Sequence, residues 1–191
     1  MKHFFTILAA LLGFISCNRN FTTAEREVIF RGDGDVMQVM SIANQSDSLL
    51  LRSRSQLVSE DMVATEEFKT LCSRMLATVQ SPEHDGVGIA APQVGILRRV
   101  VLVDTGEEIL ELINPEIIYT EGEQTGPEGC LSVPGKYAPV ERPNYVKAKA
   151  MDRDGNEFII EGEELMARAL CHEIDHLDGI LYIDKALPVE E

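Results

Sequence analysis

Two histidines and a glutamate at fixed spacing are the residues of this sequence best suited to chemistry. The stretch His172-Glu173-Ile174-Asp175-His176 matches H-E-x-x-H in a segment whose pattern predicts a helix. Positions four apart lie on one face of a helix, so both imidazoles can reach a single metal ion. Glu173 then lies beside that ion, where a general base takes a proton from an activated water. The alternative is a helix that carries two surface histidines and no metal.

A catalytic metal site needs a third protein ligand and one open position. No His or Cys follows His176, so we expect the third ligand upstream. The best candidate is Cys130, because it lies among glycines and prolines that predict a tight, shaped loop. Cys72 falls on the apolar stripe of a predicted helix, and Cys171 points about 100° away from His172 on its helix. We interpret these two cysteines as structural.

Three motifs in order make the chain similar to the peptide deformylases, metalloenzymes that remove the formyl group from the N-terminus of new bacterial proteins. They are Gly86-Val87-Gly88-Ile89-Ala90-Ala91-Pro92-Gln93, then Glu128-Gly129-Cys130-Leu131-Ser132, then His172 to His176 continued by Leu177-Asp178-Gly179. The resemblance runs from about residue 36 to residue 187. It implies that Cys130 as thiolate, His172 and His176 bind one divalent metal ion. Fe(II) is the expected ion, with Zn(II) or Ni(II) as alternatives that the same ligands suit.

The resemblance also implies roles around that ion. Glu173 is the base, while the amide of Gln93 and the backbone N–H of Leu131 donate to the formyl oxygen, where negative charge develops. An N-formyl-methionyl peptide is the expected substrate, and its methionine side chain requires an apolar pocket. The candidates for binding the substrate are the pocket residues Val87, Ile89, Leu131, Leu170 and His172, the backbone of Gly88, and Arg142.

Two further residues near the motifs have competing interpretations. Arg142 matches a family position near the substrate backbone, but it can equally be a solvated surface arginine. Asp178 is a candidate for orienting a metal-binding histidine, since such rings usually donate their second N–H to a partner. We expect His84, just before the first motif, to be exposed.

Hydrophobic periodicity predicts an α+β fold in which short antiparallel β-sheets pack around a central helix. Apolar residues of 65–79 recur at helical spacing, with Thr65 as N-cap. Strands are predicted at 36–40, 99–103, 109–113, 117–119, 145–151 and 158–160, and the last two flank an Asp154-Gly155 hairpin turn. Residues 46–52 resemble a turn of the family. A helix from about residue 163 carries the metal motif.

Composition bounds the class of protein. A chain of 191 residues with 45% hydrophobic content fits one globular domain with its own core. The formal net charge of -15 argues against a nucleic-acid partner, because a phosphate backbone attracts basic surfaces. Four cysteines without paired spacing do not indicate a disulfide framework. We expect a monomer.

The N-terminus predicts export rather than fold. An apolar run over residues 4–15 is too short to span a bilayer but suits a signal peptide, and Ser16-Cys17 resembles a lipoprotein cleavage site. The predicted organisation is a signal peptide at 1–17 with Cys17 as the mature N-terminus, a polar linker at 18–35, and a catalytic domain at 36–191. The protein is then anchored to a bacterial membrane only through lipid. If the segment is not a signal, the protein is cytoplasmic.

Export conflicts with a nascent-chain substrate, because formylated chains are made in the cytosol. The principal interpretation is metal-dependent hydrolysis of the N-formyl group, with release of formate. One alternative is an exported metalloamidase or peptidase of different acyl specificity. A second is a non-catalytic binder of formyl peptides, although a binder has no need of Glu173.

Overall fold

The computed structural model describes residues 20–84 and 86–188 and contains both helices and antiparallel sheets. The α+β prediction is confirmed. The helices are α1 (Thr23–Ile29), α2 (Gln45–Leu51), α3 (Glu60–Val63), α4 (Glu66–Val79) and α5 (Glu164–Leu177), with short 3₁₀ turns at Ala91–Val94 and Tyr182–Asp184. The strands are β1 (Gly88–Ala90), β2 (Val100–Asp104), β3 (Ile109–Glu121), β4 (Gln124–Cys130), β5 (Val133–Arg142), β6 (Tyr145–Met151) and β7 (Glu157–Glu163).

The strands form two antiparallel sheets. The larger sheet has the order β1-β2-β3-β6-β7, and β4 pairs with β5 in a two-stranded sheet. The predicted hairpin at Asp154-Gly155 joins β6 to β7, and Gly155 supplies the positive φ that the turn requires. The strands predicted at 109–113 and 117–119 are one continuous strand, β3, whose register against β6 shifts between Ile113 and Glu116.

Helix α5 lies against the larger sheet, as the apolar spacing of its residues requires. Ala167, Leu170, Ile174 and Leu177 are buried in one cluster with inward-facing residues of β2, β3 and β6. A second cluster lies around α4, whose predicted apolar stripe is buried and whose N-cap is Thr65, accepting from the Phe68 N–H at 3.2 Å. Packing against the larger sheet therefore fixes the helix that carries the two histidines.

The predicted linker at 18–35 is wrong for residues 21–29, which fold onto the body. Thr22 and Glu25 form a capping box that starts α1, and this satisfies backbone donors that a solvated tether leaves to water. Phe21 and Ile29 are buried in the same cluster as α4. The segment is therefore part of the folded domain.

Two local predictions after the linker are also wrong. Residues 36–40 form no strand, because their backbone amides do not pair with one neighbouring strand. The Met37 N–H donates to the Thr78 hydroxyl and the Met40 N–H donates to the Gln93 carbonyl, both at 2.8 Å. The turn predicted at 46–52 is instead helix α2. Asn44 starts this helix by accepting hydrogen bonds from Ser46 and Asp47.

The predicted signal peptide at 1–17, including Cys17, lies outside the described residues. Across the part of the chain that the structure describes, no helix combines the length and apolar character needed to cross a bilayer.

Candidate metal centre and active site

Helix α5 places both histidines of the motif inside the protein. His172 is 9% exposed and His176 is 1% exposed, and their ring centroids lie 5.1 Å apart. The alternative of two surface histidines is therefore wrong. Burial lowers the pKa of His176 well below its usual value, which keeps that ring in the neutral form that binds metal.

Cys130 reaches the histidines from the second sheet. It ends β4, and the tight turn into β5 at Leu131 and Ser132 directs its thiol toward α5. The Cys130 Sγ lies 3.3 Å from His176 Nε2, and one ligand atom each from Cys130, His172 and His176 lies within 4.8 Å of the others. One thiolate and two imidazoles, partly shielded from water, suit a divalent transition metal such as zinc or iron. The three residues therefore fit a metal ion.

A buried carboxylate that sequence reasoning missed orients one of the rings. Glu128 Oε2 lies 2.8 Å from His172 Nδ1, which directs the other ring nitrogen of His172 toward Cys130. Glu128 is held in turn by two guanidinium groups, from Arg142 and Arg168. Burial raises the pKa of Glu128, but hydrogen bonds from Arg142 and His172 outweigh it and bring the value to about 2. The carboxylate is therefore ionised.

The charge of His172 follows from the same contacts. Burial lowers its pKa, while the Cys130 thiol and the Glu128 carboxylate raise it to about 10. A metal ion must displace the proton on this ring, so metal binding releases a proton. Asp178, predicted as the orienting partner, pairs instead with Arg99 at 2.9 Å.

Glu173 lies beside the three ligands and faces the cavity. Its carboxyl group is buried, and among the described residues its Oε2 has no hydrogen-bond partner. Burial raises the pKa of Glu173 to about 7, against a smaller lowering by positive charge on His172. A general base works best with a pKa near the operating pH. The carboxylate also lies directly against Gly88, where a Cβ would be only 2.8 Å from Glu173 Cγ.

Gln93 and Leu131 both lie next to Cys130. The Gln93 Oε1 accepts from the Ala90 N–H at 2.8 Å, and this leaves the Gln93 Nε2 pointing at Cys130 Sγ, 3.5 Å away. Leu131 follows Cys130 at the hairpin turn and lines the same cavity as Glu173. Both residues therefore line the cavity beside Cys130.

A cavity of about 570 Å³ opens at the ligand cluster. Its wall includes Val87, Gly88, Leu131 and His172 from the predicted set, and it also includes Leu165 and Ala169 of α5 and the exposed Tyr137 of β5. His84, which we expected to be exposed, is partly buried and lines this cavity.

Three of the predicted substrate-binding residues do not line the cavity. Ile89 packs into the core around α4, because its side chain points to the opposite face of β1 from Gly88. Leu170 packs against the sheet in the α5 cluster. Arg142 neither lines the cavity nor lies on the surface, because its guanidinium is buried between Glu128 and Asp175. This arginine acts on the site through Glu128.

A metal-ligand cluster on an H-E-x-x-H helix, with a free carboxylate facing a cavity, defines the class of metal-dependent hydrolases. Comparisons with known proteins narrow this class. The family model described as polypeptide deformylase matches residues 39–191. The peptide deformylase of Agathobacter rectalis is 53% identical over 149 residues, covering 78% of this chain and 90% of that protein.

Solved structures agree with the sequence comparisons. A class I type b peptide deformylase from Acinetobacter baumannii with Met-Ala-Ser bound has a TM-score of 0.71 and 32% identity, covering 78% of this chain and 98% of that one. The peptide deformylase of Thermotoga maritima gives a TM-score of 0.72 and 34% identity, covering 80% and 99%. The chain belongs to the polypeptide deformylase family. Its activity is the metal-dependent hydrolysis of the N-formyl group of peptides.

Proposed function

We propose that Cys130, His172 and His176 hold one divalent metal ion and that Glu173 is the general base for deformylation of N-formyl-methionyl peptides. The observation that carries this proposal is the ligand cluster with a buried, unpartnered carboxylate oxygen of Glu173 beside it. The cluster and the carboxylate share one cavity, so a formyl group bound there contacts both.

Fe(II) is the metal ion that we propose. The ligand set of one thiolate and two imidazoles supports Fe(II), Zn(II) and Ni(II). The resemblance to the family, which uses Fe(II) readily, favours iron. Protein purified without oxygen should carry one iron per chain, and exposure to air should lower both the iron content and the activity.

The protein groups of the site divide the reaction between them. When bound, the metal ion supplies Lewis acidity, which makes a water molecule more acidic and polarises a carbonyl oxygen. Glu173 takes a proton from the attacking water as oxygen bonds to the formyl carbon. The Gln93 Nε2 and the Leu131 backbone N–H donate to the formyl oxygen, where negative charge builds. Glu173 then gives the proton to the departing amine, and formate and a free N-terminus leave.

The cavity wall supports a methionine side chain and an extended peptide. Leu131, Leu165 and Ala169 supply apolar surface next to His172. Strand β1 is an edge strand of the larger sheet, and among the described strands it pairs with β2 alone. The Gln93 side chain bonds its Ala90 N–H, and the Gly88 end of this edge is the place where a peptide backbone can pair. We propose that the peptide pairs with Gly88 and places its first side chain in the cavity.

Formate release from formyl-Met-Ala-Ser tests the proposed role of Glu173. We expect Glu173→Gln to keep its metal ion and to lose about 100-fold or more in kcat, since general bases contribute about 10²–10⁴. Glu164→Gln, on an exposed position of the same helix, is the matched control and should retain full activity. Native-like turnover in Glu173→Gln would refute this role.

Acyl specificity separates deformylation from the alternative of a different amidase. Acetyl-Met-Ala-Ser and unblocked Met-Ala-Ser are the comparison substrates. The proposal expects hydrolysis of the formyl peptide alone, because an acetyl methyl group adds bulk at the reacting carbon. Faster cleavage of the acetyl peptide, or of the Met-Ala bond, would support the alternative.

We also propose that the chain is exported, lipid-anchored through Cys17 and monomeric. The apolar run at 4–15 and the Ser16-Cys17 pair support export. Labelled palmitate should be incorporated by the full chain in bacterial cells but not by Cys17→Ser, and the Cys17→Ser protein should have the mass of one chain in solution. No labelling together with activity in the soluble cell fraction would favour a cytoplasmic protein.

A further inference from the structure

The first described residues of the chain lie against the back of the active site. We call residues 20–35 the N-terminal strap, and residues 90–98, which carry Gln93, the Gln93 segment. The family match begins only at residue 39, so the strap lies outside it. Nothing in the sequence motifs connects the strap to the reaction.

One end of the contact is a buried ion pair. Glu25 of α1 binds Arg98 with both carboxylate oxygens, at 2.7 Å to Nε and 3.0 Å to Nη2. Arg98 is 1% exposed, and the Asn20 carbonyl accepts from the same guanidinium at 3.1 Å. The Phe21 ring lies 5.6 Å from the Arg98 guanidinium carbon. The strap therefore fixes the C-terminal end of the Gln93 segment.

The other contacts lie closer to Gln93. The 3₁₀ turn that carries Gln93 ends at Gly95, whose φ is +86°, and Val28 of α1 covers this glycine. A Cβ at Gly95 would be 3.7 Å from Val28 Cγ1 and 3.8 Å from Met40 Cε, so Val28 and Met40 together flank this glycine. Just beyond the strap, the Met40 N–H donates to the Gln93 carbonyl at 2.8 Å. The Gln93 segment is thus held from behind while its amide faces Cys130.

Arg74 of α4 attaches the strap to the rest of the protein. Its Nη1 donates to the Ile29 carbonyl at 2.6 Å and its Nε to the Asp35 carbonyl at 3.4 Å. Arg26 of α1 also pairs with Glu67 of α4 at 3.1 Å, but half of the Arg26 side chain is exposed, so this pair contributes little to holding α1 in place. The strap is a fixed layer between α4 and the Gln93 segment, and movement of α1 changes the support beneath Gln93.

We propose that Glu25 and Val28 are positioning residues for deformylation, which hold the Gln93 amide at the place where the formyl oxygen develops charge. This inference rests on the proposed role of Gln93. Misplacing a reacting group by about 1 Å can cost about 100-fold in rate. Removing one of two strap contacts should cost less, on the order of tenfold in kcat.

The test compares three single variants on α1 in two backgrounds. Glu25→Gln removes the charge on Arg98's partner. Val28→Ala removes the one side chain of α1 that flanks Gly95. Arg26→Gln removes a contact of α1 that does not touch the Gln93 segment. We expect the first two to lower kcat on formyl-Met-Ala-Ser by on the order of tenfold, with bound metal and KM unchanged. Arg26→Gln should retain wild-type kcat.

The second background identifies the route of the effect. In Gln93→Ala protein, Glu25→Gln and Val28→Ala should cause no further loss, because the group they position is gone. Equal losses in both backgrounds, an equal loss in Arg26→Gln, or no loss at all would overturn the proposal. If Glu25→Gln does not fold, Val28→Ala alone decides.

Amide hydrogen exchange gives a reading that does not depend on activity. Glu25→Gln and Val28→Ala should speed exchange over residues 90–98, whereas Arg26→Gln should not. Unchanged exchange over this segment would overturn the proposal even if the wild-type protein proved inactive. Inactive wild type with accelerated exchange in the two variants would instead count against the proposed function and support the strap.

Discussion

Gly88 illustrates how a single hydrogen in place of a side chain shapes this site. Its Cα lies against the Glu173 carboxylate, and a Cβ there would be 2.8 Å from Glu173 Cγ and 3.0 Å from the Leu102 carbonyl oxygen. The Leu102 carbonyl is part of the sheet backbone and cannot move aside, so the Glu173 side chain would have to move. The Glu173 carboxylate can keep its place only while residue 88 has no side chain.

We predict that Gly88→Ala lowers kcat by about 100-fold with the metal ion retained, because the substitution displaces Glu173 from the attacking water. Formate release and metal content measured on the same preparation check this. Gly86→Ala is the matched control, since its Cβ meets neighbours only at 3.4 Å or more. If Gly88→Ala proved as active as Gly86→Ala, a Cβ at residue 88 would not displace Glu173, and the prediction would be wrong.

Glu128, which the sequence did not reveal as a partner of His172, fixes the orientation of that ring. It orients His172 from the side opposite the metal ligands and is held by Arg142 and Arg168. We predict that Glu128→Gln weakens metal affinity by about 10–100-fold, as loss of such orienting partners does elsewhere. Competition with a chelator measures the affinity, with the exposed Glu141→Gln as control. Unchanged affinity in Glu128→Gln would contradict this role.

The C-terminal end of helix α5 is packed against the loop that follows α2. Gly179 follows the helix at φ +74°, and a Cβ there would overlap the Arg52 carbonyl after α2. Gly155, in the β6-β7 turn, has a similar φ of +83°, but a Cβ there would meet only the end of ordinary contact distance, Glu60 Cγ at 4.0 Å. The two glycines therefore separate backbone strain from steric overlap.

We predict that Gly155→Ala costs about 1–3 kcal/mol of unfolding free energy through strain alone. Gly179→Ala should cost about 1–3 kcal/mol more, because Arg52 must also move. Urea unfolding of both variants gives the comparison. Equal losses would mean that Arg52 moves aside at no cost and that the close packing of Gly179 on Arg52 adds little to stability.

Helix α1 contains Glu25, a carboxylate whose pKa is lower in the folded protein than in the unfolded chain. Burial raises the pKa of Glu25, but hydrogen bonds from Arg98 and the Thr22 backbone outweigh it, so the pKa falls below its usual 4.5. A group with a lowered folded pKa stabilises the protein above its unfolded pKa. That stabilisation is lost as the pH falls below 4.5 and through the folded value.

We therefore predict that wild type is more stable than Glu25→Gln at pH 7 and that the difference shrinks as the pH falls below 4.5. Thermal unfolding of both proteins between pH 7 and pH 3 measures it. Other carboxylates titrate in both proteins and cancel in the difference. A gap that stays constant across this range would show that the Glu25 charge does not stabilise α1.

Across the whole molecule, contacts between residues close in sequence could be predicted, whereas contacts between distant residues could not. His172 and His176 were predictable because their spacing is local to one helix, and Cys130 because glycines and prolines set it on a shaped turn. Glu128 was missed as a partner because its contact with His172 spans 44 positions of the chain. Only the antiparallel pairing of β4 with β5 and their packing on α5 bring the two together.

The error at residues 18–35 has a different origin. Polar composition suggested a solvated linker, yet Thr22 and Glu25 have the spacing of a capping box. The apolar residues Phe21, just before the helix, and Val28 and Ile29, at its end, pack in one cluster. Those signals were present in the sequence and were outweighed by composition. The buried partner Arg98 could not be foreseen, since it lies 73 positions away.

Metal titration of apo protein tests the proposed site most directly. Metal-free wild type and Cys130→Ala would be titrated with Fe(II) under anaerobic conditions, and formate release from formyl-Met-Ala-Ser followed at each addition. Wild-type activity should rise linearly and stop rising at one iron per chain, while Cys130→Ala should show no such break and little activity. Full activity before any metal is added, or an unchanged break in Cys130→Ala, would contradict a reaction built on Cys130, His172 and His176.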